Sequence, residues 1–592
     1  MNTFQPVTRR SFLATVLAAA ASTAAACSFD SESPDGRAEP GATNSPGAGT
    51  RVLRQMMIPV ADLDPTVASG ASFGQILMAG LMEGLVVLDA DGTGVQAGAA
   101  SAWDVSADGR TYTFTIRPEA TWSNGDQVTA ADFEWNWHRL LSPTASDRPE
   151  GTSSYNQAAG VVGAADFLSG QTTDFADVGV SARDDSTFEI TLEAPNPDFL
   201  YMLAAYWALP LHPATVEEHS TGWSTPENWV GNGPFVLDAW RTNASATLVP
   251  NEHYWDRDNY HLDRWEVRFN DAGATADILA YQSGEIDVVN VSGALEAVTS
   301  DPELEPDLVT APQNVVNTLN LLSSHNPVLY DVRVRKALSL AIDRDQIAAL
   351  QYPRTPGVSL VPDGVPGHEQ VPATTYDLDQ AKALLAEAGF ADGAGVPTVT
   401  ILINQPTAWI EAVAEMWRTG LGIEVTLDLV ELGVYVEKRG QLHPDSYTGF
   451  WHGSFGVNPP TLFSSITGPL TSWRFLAGFA MPAEAAERYQ EVSQDTSMPP
   501  DEKVAELEGI IDADAFPEIR EFKDLAEQAV AERDPDIQRR LLLDAAVARE
   551  SAYVSLPVIW GSYALLIKPH VQELRPWTDS TVFTTRGVQV AP

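Results

Sequence analysis

The chain contains a single cysteine, Cys27, so no disulfide within it can hold a fold together. Stability must come from buried apolar surface and from backbone that satisfies its own hydrogen bonds. Cys27 closes the one long apolar run of the sequence, Phe12 to Ala26, which follows Arg9 and Arg10. A membrane span takes about 20 apolar residues, so this run is short for one and has the length of an export signal's hydrophobic region. From Thr50 on, roughly 540 residues contain no second stretch of that kind, which is ample for more than one core. The expected product is a large soluble body outside the cytoplasm, with residues 1–26 as its signal peptide.

Thr8-Arg9-Arg10-Ser11-Phe12-Leu13 resembles the twin-arginine signal, whose machinery carries folded cargo; an ordinary secretory signal is the alternative. Cys27, directly after Ala24-Ala25-Ala26, resembles the acylated cysteine of a bacterial lipobox, and simple cleavage after Ala26 is the other outcome. Residues 27–49 are rich in Ser, Pro, Gly and acids without an apolar period, and read as a flexible, lipid-anchored tether. The location expected is the outer face of the cytoplasmic membrane or the periplasmic space. With 80 acidic against 35 basic residues the formal net charge is -45, which argues against nucleic acid and against adhesion to anionic lipid. An acyl chain on Cys27 is then the expected link to a membrane.

Two periods alternate along the mature chain. "TYTFTIR" (111–117) sets Tyr112, Phe114 and Ile116 on one face, and "STFEITLEAP" (186–195) does the same with Phe188, Ile190 and Leu192; both predict half-buried strands. "YDLDQAKALLAEAGF" predicts a helix capped by Asp377, with Ala381, Leu384, Leu385 and Ala388 inward and Gly389 at its end. "YDVRVRKALSLAIDRDQIAAL" predicts another through Val334, Ala337, Leu338, Ala341 and Ile342, and "DPDIQRRLLLDAAVARESAY" a third. "VSLPVIWGSYALLI" (554–567) reads as a buried strand pair bent at Gly561. The fold class is α/β.

Enzyme motifs are scarce. His368-Glu369 has no second histidine to complete a zinc helix, and no glycine-rich phosphate loop ends in Lys-Ser/Thr. His212 and His219, or His253 and His261, lack ligand spacing, so no metal and no cofactor are expected. Glu285 and Asp287 form one acid pair among many. "HGSFG" falls one residue short of a nucleophile elbow, with His452 in the first glycine's place and Pro459-Pro460 where a helix should start. A secreted serine hydrolase using Ser454 is therefore a minor alternative.

A series of separated segments resembles one family, the extracytoplasmic solute-binding proteins of peptide-type ABC transporters (bacterial solute-binding family 5). It runs from "LDPTVASGASFGQILMAGLMEGLVVLDADG" through "SAWDVSADGRTYTFTIRPEATWSNGDQVTAADFEWNWHRLL", "APNPDFL", "GNGPFVLDAW", "NEHYWD" and "SGEIDVV" to "DVRVRKALSLAIDRDQI" and "DLDQAKALLAEAG". The resemblance implies a two-lobed, periplasmic-binding-protein-like fold with its ligand cleft between lobes. Lobe 1 would comprise 50–315 plus 555–592 with an inserted subdomain at about 95–222, and lobe 2 would comprise 316–554. Crossings are expected near Ala311–Asn320 and Ser551–Leu556. The implied role is that of a monomeric receptor capturing a peptide or peptide-like solute and handing it to ABC permease subunits. An oligosaccharide or other non-peptide solute on the same fold is the alternative.

The family places two loops at its cleft, matching here Ser69, Gly70, Ala71, Ser72, Phe73 and Gly74, and "FWHGSFGVNPP". Peptide-binding members carry a tryptophan, an aspartate that pairs with the peptide's ammonium, and an aromatic in the second loop. Trp451 and Phe455 match the aromatics, and Ser454 stands where that aspartate would be. Trp451 and Phe455 stack on a ligand or fill core; His452 and Asn458 offer hydrogen bonds; Arg354 pairs with a ligand carboxylate or lies solvated. Trp473, Phe475 and Tyr155 are further candidates.

Overall fold

A computed structural model describes residues 50–592 apart from 61–62, 66–71, 90–93, 143–159, 271–272, 323–325, 441–448, 458–460, 469–471, 496–497, 575–583 and 592. The signal, Cys27 and its tether, Ser69, Gly70, Ala71, Tyr155 and Asn458 thus lie outside the described residues.

The chain opens a large sheet with β1 (Val52–Met57) and then leaves it through the helix Ser72–Leu81. A hairpin of β2 (Val86–Leu88) and β3 (Val95–Ala97) follows. Next comes a separate antiparallel sheet of β4 (Ala100–Val105), β5 (Thr111–Ile116), β6 (Val180–Ala182) and β7 (Thr187–Thr191), ordered β4-β5-β7-β6. Tyr112, Phe114, Ile116, Phe188, Ile190 and Leu192 are buried as their alternation predicts, in a core shared with Phe133 and Trp137 of the helix Ala130–Leu141. This small sheet therefore has a core of its own.

The chain returns to the large sheet as β8 (Phe235–Arg241), β9 (Ser245–Pro250), β10 (Arg264–Phe269) and β11 (Val288–Asn290). β12 (Leu308–Leu321) then carries it out to β13 (Thr355–Pro356), β14 (Val399–Ile403), β15 (Val425–Leu429) and β16 (Gly449–Gly456). β17 (Ser555–Ile567) brings it back, and β18 (Val571–Gln572) pairs with β19 (Gln589–Val590). The large sheet has 11 strands in the order β15-β14-β16-β12-β17-β11-β1-β10-β9-β8, with β13 also on β17. Residues 316–560 bury a core around β14, β16 and the helices of that segment, separate from the cores built on β1 and β8 to β11. Two bodies result, and β12 and β17 run through both.

The two long strands do not pass evenly from one body to the other. Pro312 faces Ser562 and Val316 faces Trp560, so Gln313, Asn314 and Val315 stand opposite Gly561 alone. Extra residues on one strand bend the pair. A Cβ on Gly561 would lie 2.6 Å from Gln313 Oε1 and 3.3 Å from the Val315 carbonyl, so a larger residue there would have to displace the Gln313 side chain.

Two sequence expectations change. "VSLPVIWGSYALLI" is one 13-residue strand rather than a bent pair, because β12 supplies partners on both sides of Gly561. The helix read through Val334 to Ile342 and beyond is two, Val332–Leu340 and Arg344–Leu350, because Asp343 caps a fresh N-terminus by accepting from the Gln346 N–H at 2.9 Å. The helix Leu378–Glu387 has the cap, the inward Ala381 and Leu385 and the left-handed Gly389 that its sequence predicts.

Candidate functional site

The segment expected to be a binding loop is largely strand. β16 runs parallel to β14 and antiparallel to β12, pairing Trp451 with Asn320, Gly453 with Thr318 and Ser454 with Asn317. Its alternation is masked because both faces are covered: Phe450 packs on Trp417, and Trp451 and Phe455 face the other way. Gly453 is required between those two rings, since a Cβ there would lie 2.8 Å from Asn320 Nδ2, 2.9 Å from Trp451 and 3.0 Å from Phe455.

Burial separates the candidates. Trp451 is 1% and Phe455 3% exposed, in an edge-to-face cluster with Phe475 and Phe479, and Trp473 stacks edge-on against Phe522. These rings fill core in this conformation. His452 is half-buried against Tyr435, whose hydroxyl donates to the His452 carbonyl. Ser454 is exposed, and its Oγ donates to Asn317 Oδ1 at 2.7 Å, while Asn317 Nδ2 donates to the Ile559 carbonyl at 3.4 Å. Ser454 lies within a strand and on an amide, neither of which suits a nucleophile elbow. Ser72 and Phe73 fall in the helix Ser72–Leu81.

Ser454, Asn317, Ile559 and Pro356 form one row across β16, β12, β17 and β13. Three strand spacings make that row about 14 Å long. Arg354 lies two residues before Pro356, at the end of the turn that precedes β13, with its N–H donating to the Gln351 carbonyl. Its guanidinium is half-buried, and burial alone pulls its pKa down. The segment that carries it is pinned: Ser562 Oγ donates to the Pro353 carbonyl, and Gly357 N–H donates to the Val558 carbonyl. Arg344, 3% exposed, donates to the Gly357 and Pro557 carbonyls from Nε and to the Ser339 and Ile342 carbonyls from Nη1. Ile559, in the middle of that row, is fully buried, so the structure sets Ser454 at one end of the row and Arg354 beside the other without joining them in an open surface.

Two features had no clear sequence signal. Asp198, at the start of the helix Phe199–Leu203 on the small-sheet body, accepts from the hydroxyl of Thr461, which caps the helix Leu462–Thr467 in the other body. Burial raises its carboxyl to about 6, opposed by hydrogen bonds from Thr461 and the Ser464 backbone. Asp198→Ala is expected to remove a link of about 2 kcal/mol. Amide exchange over 461–467 should rise several-fold, and unchanged exchange would show that the link contributes nothing.

The second feature is Glu83, 4% exposed, which accepts from Tyr254 Oη and from Trp255 Nε1 at 2.7 Å. Arg117 lies over the Trp255 ring at 3.5 Å. Asn232 brackets the Glu83 backbone, accepting from its N–H at 2.9 Å and donating to its carbonyl at 2.8 Å. Gly233 has to be glycine because a Cβ would lie 2.5 Å from Leu81 C and Met82 N. Burial raises the Glu83 carboxyl to about 7. "MEGL", "TIR", "GNGPF" and "NEHYWD" thus meet in one buried cluster.

The remaining chemical candidates are structural. Asp287 accepts from the Arg54 N–H at 2.8 Å and contacts His570 Nε2 at 3.1 Å, whereas Glu285 pairs with Arg268. His212 caps the helix Pro213–His219 and sits 3.3 Å from Asp126. Among the described residues no group of three or more His, Cys, Asp or Glu side chains is placed to hold a metal.

Comparison with known proteins agrees with this arrangement. Residues 94–472 match the model of the bacterial extracellular solute-binding proteins, family 5. The oligopeptide-binding protein OppA of Bacillus subtilis is 31% identical over 438 residues, 71% of this chain and 77% of its own. The probable deoxycholate-binding periplasmic protein YgiS of Escherichia coli is 34% identical over 392 residues, 64% of this chain and 70% of its own. The unliganded open form of the periplasmic murein tripeptide-binding protein MppA superposes with a TM-score of 0.71 at 24% identity, covering 92% of this chain and 98% of that one. The likeness shows a two-lobed periplasmic binding-protein fold.

Proposed function

Because the chain belongs to the bacterial extracellular solute-binding proteins of family 5, we propose that it is the capture component of an ABC importer, taking up a peptide or peptide-like solute and passing it to permease subunits. The observation that carries this reading is the pair of separate cores joined through β12 and β17, an arrangement suited to closing around a solute. In this proposal lobe 1 comprises residues 50–312 with 562–592 and the small sheet, lobe 2 comprises 316–560, and flexing occurs at Gln313–Val315 opposite Gly561. The second crossing then moves from Ser551–Leu556 to Gly561. The receptor would be a monomer exported by the twin-arginine route and held by acylated Cys27 at the outer face of the membrane.

A non-peptide solute is the second reading, favoured by the neutral Ser454–Asn317 pair and by a relative named for deoxycholate. Mass spectrometry of whatever co-purifies with the exported chain, joined to thermal-shift screening against peptide and non-peptide pools, tests both. Peptides that raise the melting temperature support the first reading. A shift with sugars or bile acids and none with any peptide would replace it by the second. For export, Arg9→Lys with Arg10→Lys should abolish surface display, and display unchanged would remove the twin-arginine route.

A further inference from the structure

The two bodies also touch outside the strands β12 and β17 that join them. Asp198, 7% exposed before the helix Phe199–Leu203 of the small-sheet body, accepts from the hydroxyl of Thr461 in the second body. Each partner is fixed by its own body. The Asp198 N–H donates to Asn196 Oδ1 at 3.0 Å, and Thr461 Oγ1 accepts from the Ser464 N–H at 3.0 Å as the cap of the helix Leu462–Thr467. The contact therefore joins two anchored backbones, and a shift of one body against the other has to break it.

Among the described residues no cation answers the Asp198 carboxylate. Tyr112 lies beside it, its ring 4.9 Å from that of Phe199 and its hydroxyl donating to the Asn196 carbonyl. Burial and then the charge of Asp198 push that phenol up to about 12, so it stays neutral. The helix Leu462–Thr467 has no ionisable residue, and Arg549, which donates to the Ser465 carbonyl of that helix, is paired with Glu550. Burial and the hydrogen bonds from Thr461 and the Ser464 backbone are what act on Asp198. An ionised carboxylate buried without a cation is costly, and this one stays buried only while the bodies stay together. A neutral carboxyl avoids that cost, and its carbonyl oxygen still accepts from Thr461.

We propose that Asp198 and Thr461 form a proton-operated catch between the two bodies: the neutral carboxyl holds them in the relative position seen here, and the ionised carboxyl, drawn towards water, releases them. This inference rests on the reading of β12 and β17 as a flexing connection. Linkage gives the direction. Burial raises the carboxyl from 3.8 to about 6, so the held arrangement keeps the proton more tightly than one in which Asp198 meets water. The advantage of the held arrangement is complete below pH 3.8 and is lost as pH rises through about 6. An exported receptor built this way is stiffer in acid surroundings and freer to move in neutral ones.

Amide exchange over 461–467 in the full exported chain without solute tests the catch, together with the radius of gyration from small-angle scattering. Exchange is taken relative to the helix Leu378–Glu387 of the same body, which cancels the intrinsic effect of pH. Protection over 461–467 is expected to fall about 10-fold between about pH 5 and about pH 7.5, with a larger radius at the higher pH. Asp198→Asn keeps the shape and the acceptor without titrating, so it should show high protection and the smaller radius at both pH values. Asp198→Ala should show low protection and the larger radius at both, and Thr461→Ser, which keeps hydroxyl and cap, should retain the pH profile. No pH difference in the unaltered chain, or one that persists in Asp198→Asn, would overturn the catch. A change in exchange at constant radius would overturn it too, because the titration would then be confined to a local contact. None of these results touches the receptor reading, which stands or falls on whether solutes raise the melting temperature. Melting curves confirm that the Asp198 and Thr461 variants are folded.

Discussion

Glu83→Ala is expected to cost about 4 kcal/mol in a urea denaturation at pH 6, enough to endanger the fold of the first body. The substitution removes the acceptor of the Tyr254 hydroxyl and the Trp255 N–H and opens a void. Glu83→Gln should be far milder, because its carbonyl can accept from Trp255 while its amide donates to the Tyr254 oxygen. The two variants also separate charge from shape. Burial raises the Glu83 carboxyl from 4.5 to about 7, so the folded protein holds this proton more tightly than the unfolded chain does. Stability from that proton is complete below pH 4.5 and is lost as pH rises through about 7. The full difference is on the order of 3 kcal/mol. Stability measured between pH 5 and pH 8 should therefore fall less steeply in Glu83→Gln than in the unaltered chain. Equal slopes would mean that Glu83 is not the titrating group.

Arg344→Met is expected to cost about 3–5 kcal/mol in the second body. The guanidinium ties the start of the helix Arg344–Leu350 at once to the Ser339 and Ile342 carbonyls, to Gly357 just after β13 and to β17 through Pro557. Burial pulls its pKa down to about 10, so it is still charged at neutral pH. Methionine fills much of the volume and leaves four carbonyls without this donor. Because the lost bonds include the one at Gly357, the loss should be accompanied by faster amide exchange there. A loss under 1 kcal/mol would mean that water replaces the guanidinium without penalty.

Sequence reading reached furthest where one residue type fixes one local geometry. Asp377 and Gly389 mark the two ends of their helix, and the spacing of Tyr112, Phe114 and Ile116 identifies a strand with one wet face. It failed where burial on both faces erases the alternation. Phe450, Trp451 and Phe455 are apolar in either direction along β16, so nothing in "GFWHGSFG" distinguishes a central strand from a loop lined with aromatics. The candidate site divides the same way. Ser454 and Arg354 can be nominated from their chemistry, but the Ser454–Asn317 bond spans 137 positions and the Asp198–Thr461 bond 263, and no local pattern carries such distances. The Glu83 cluster is intermediate, since each contributing motif is visible and only their meeting point is not.

β17 is made last among the strands of the large sheet and sits near its middle, between β11 and β12. A growing chain therefore cannot finish its first body and move on to the second. Until residue 567 has left the ribosome, β11 keeps one open edge and β12 another, each able to recruit a strand from a neighbouring chain. Completion of both bodies is expected to wait for the contacts that join β11 and β12, in the middle of the sequence, to β17 near its end. Such a high contact order makes folding slow and exposes the nascent protein to chaperones for the whole of that interval.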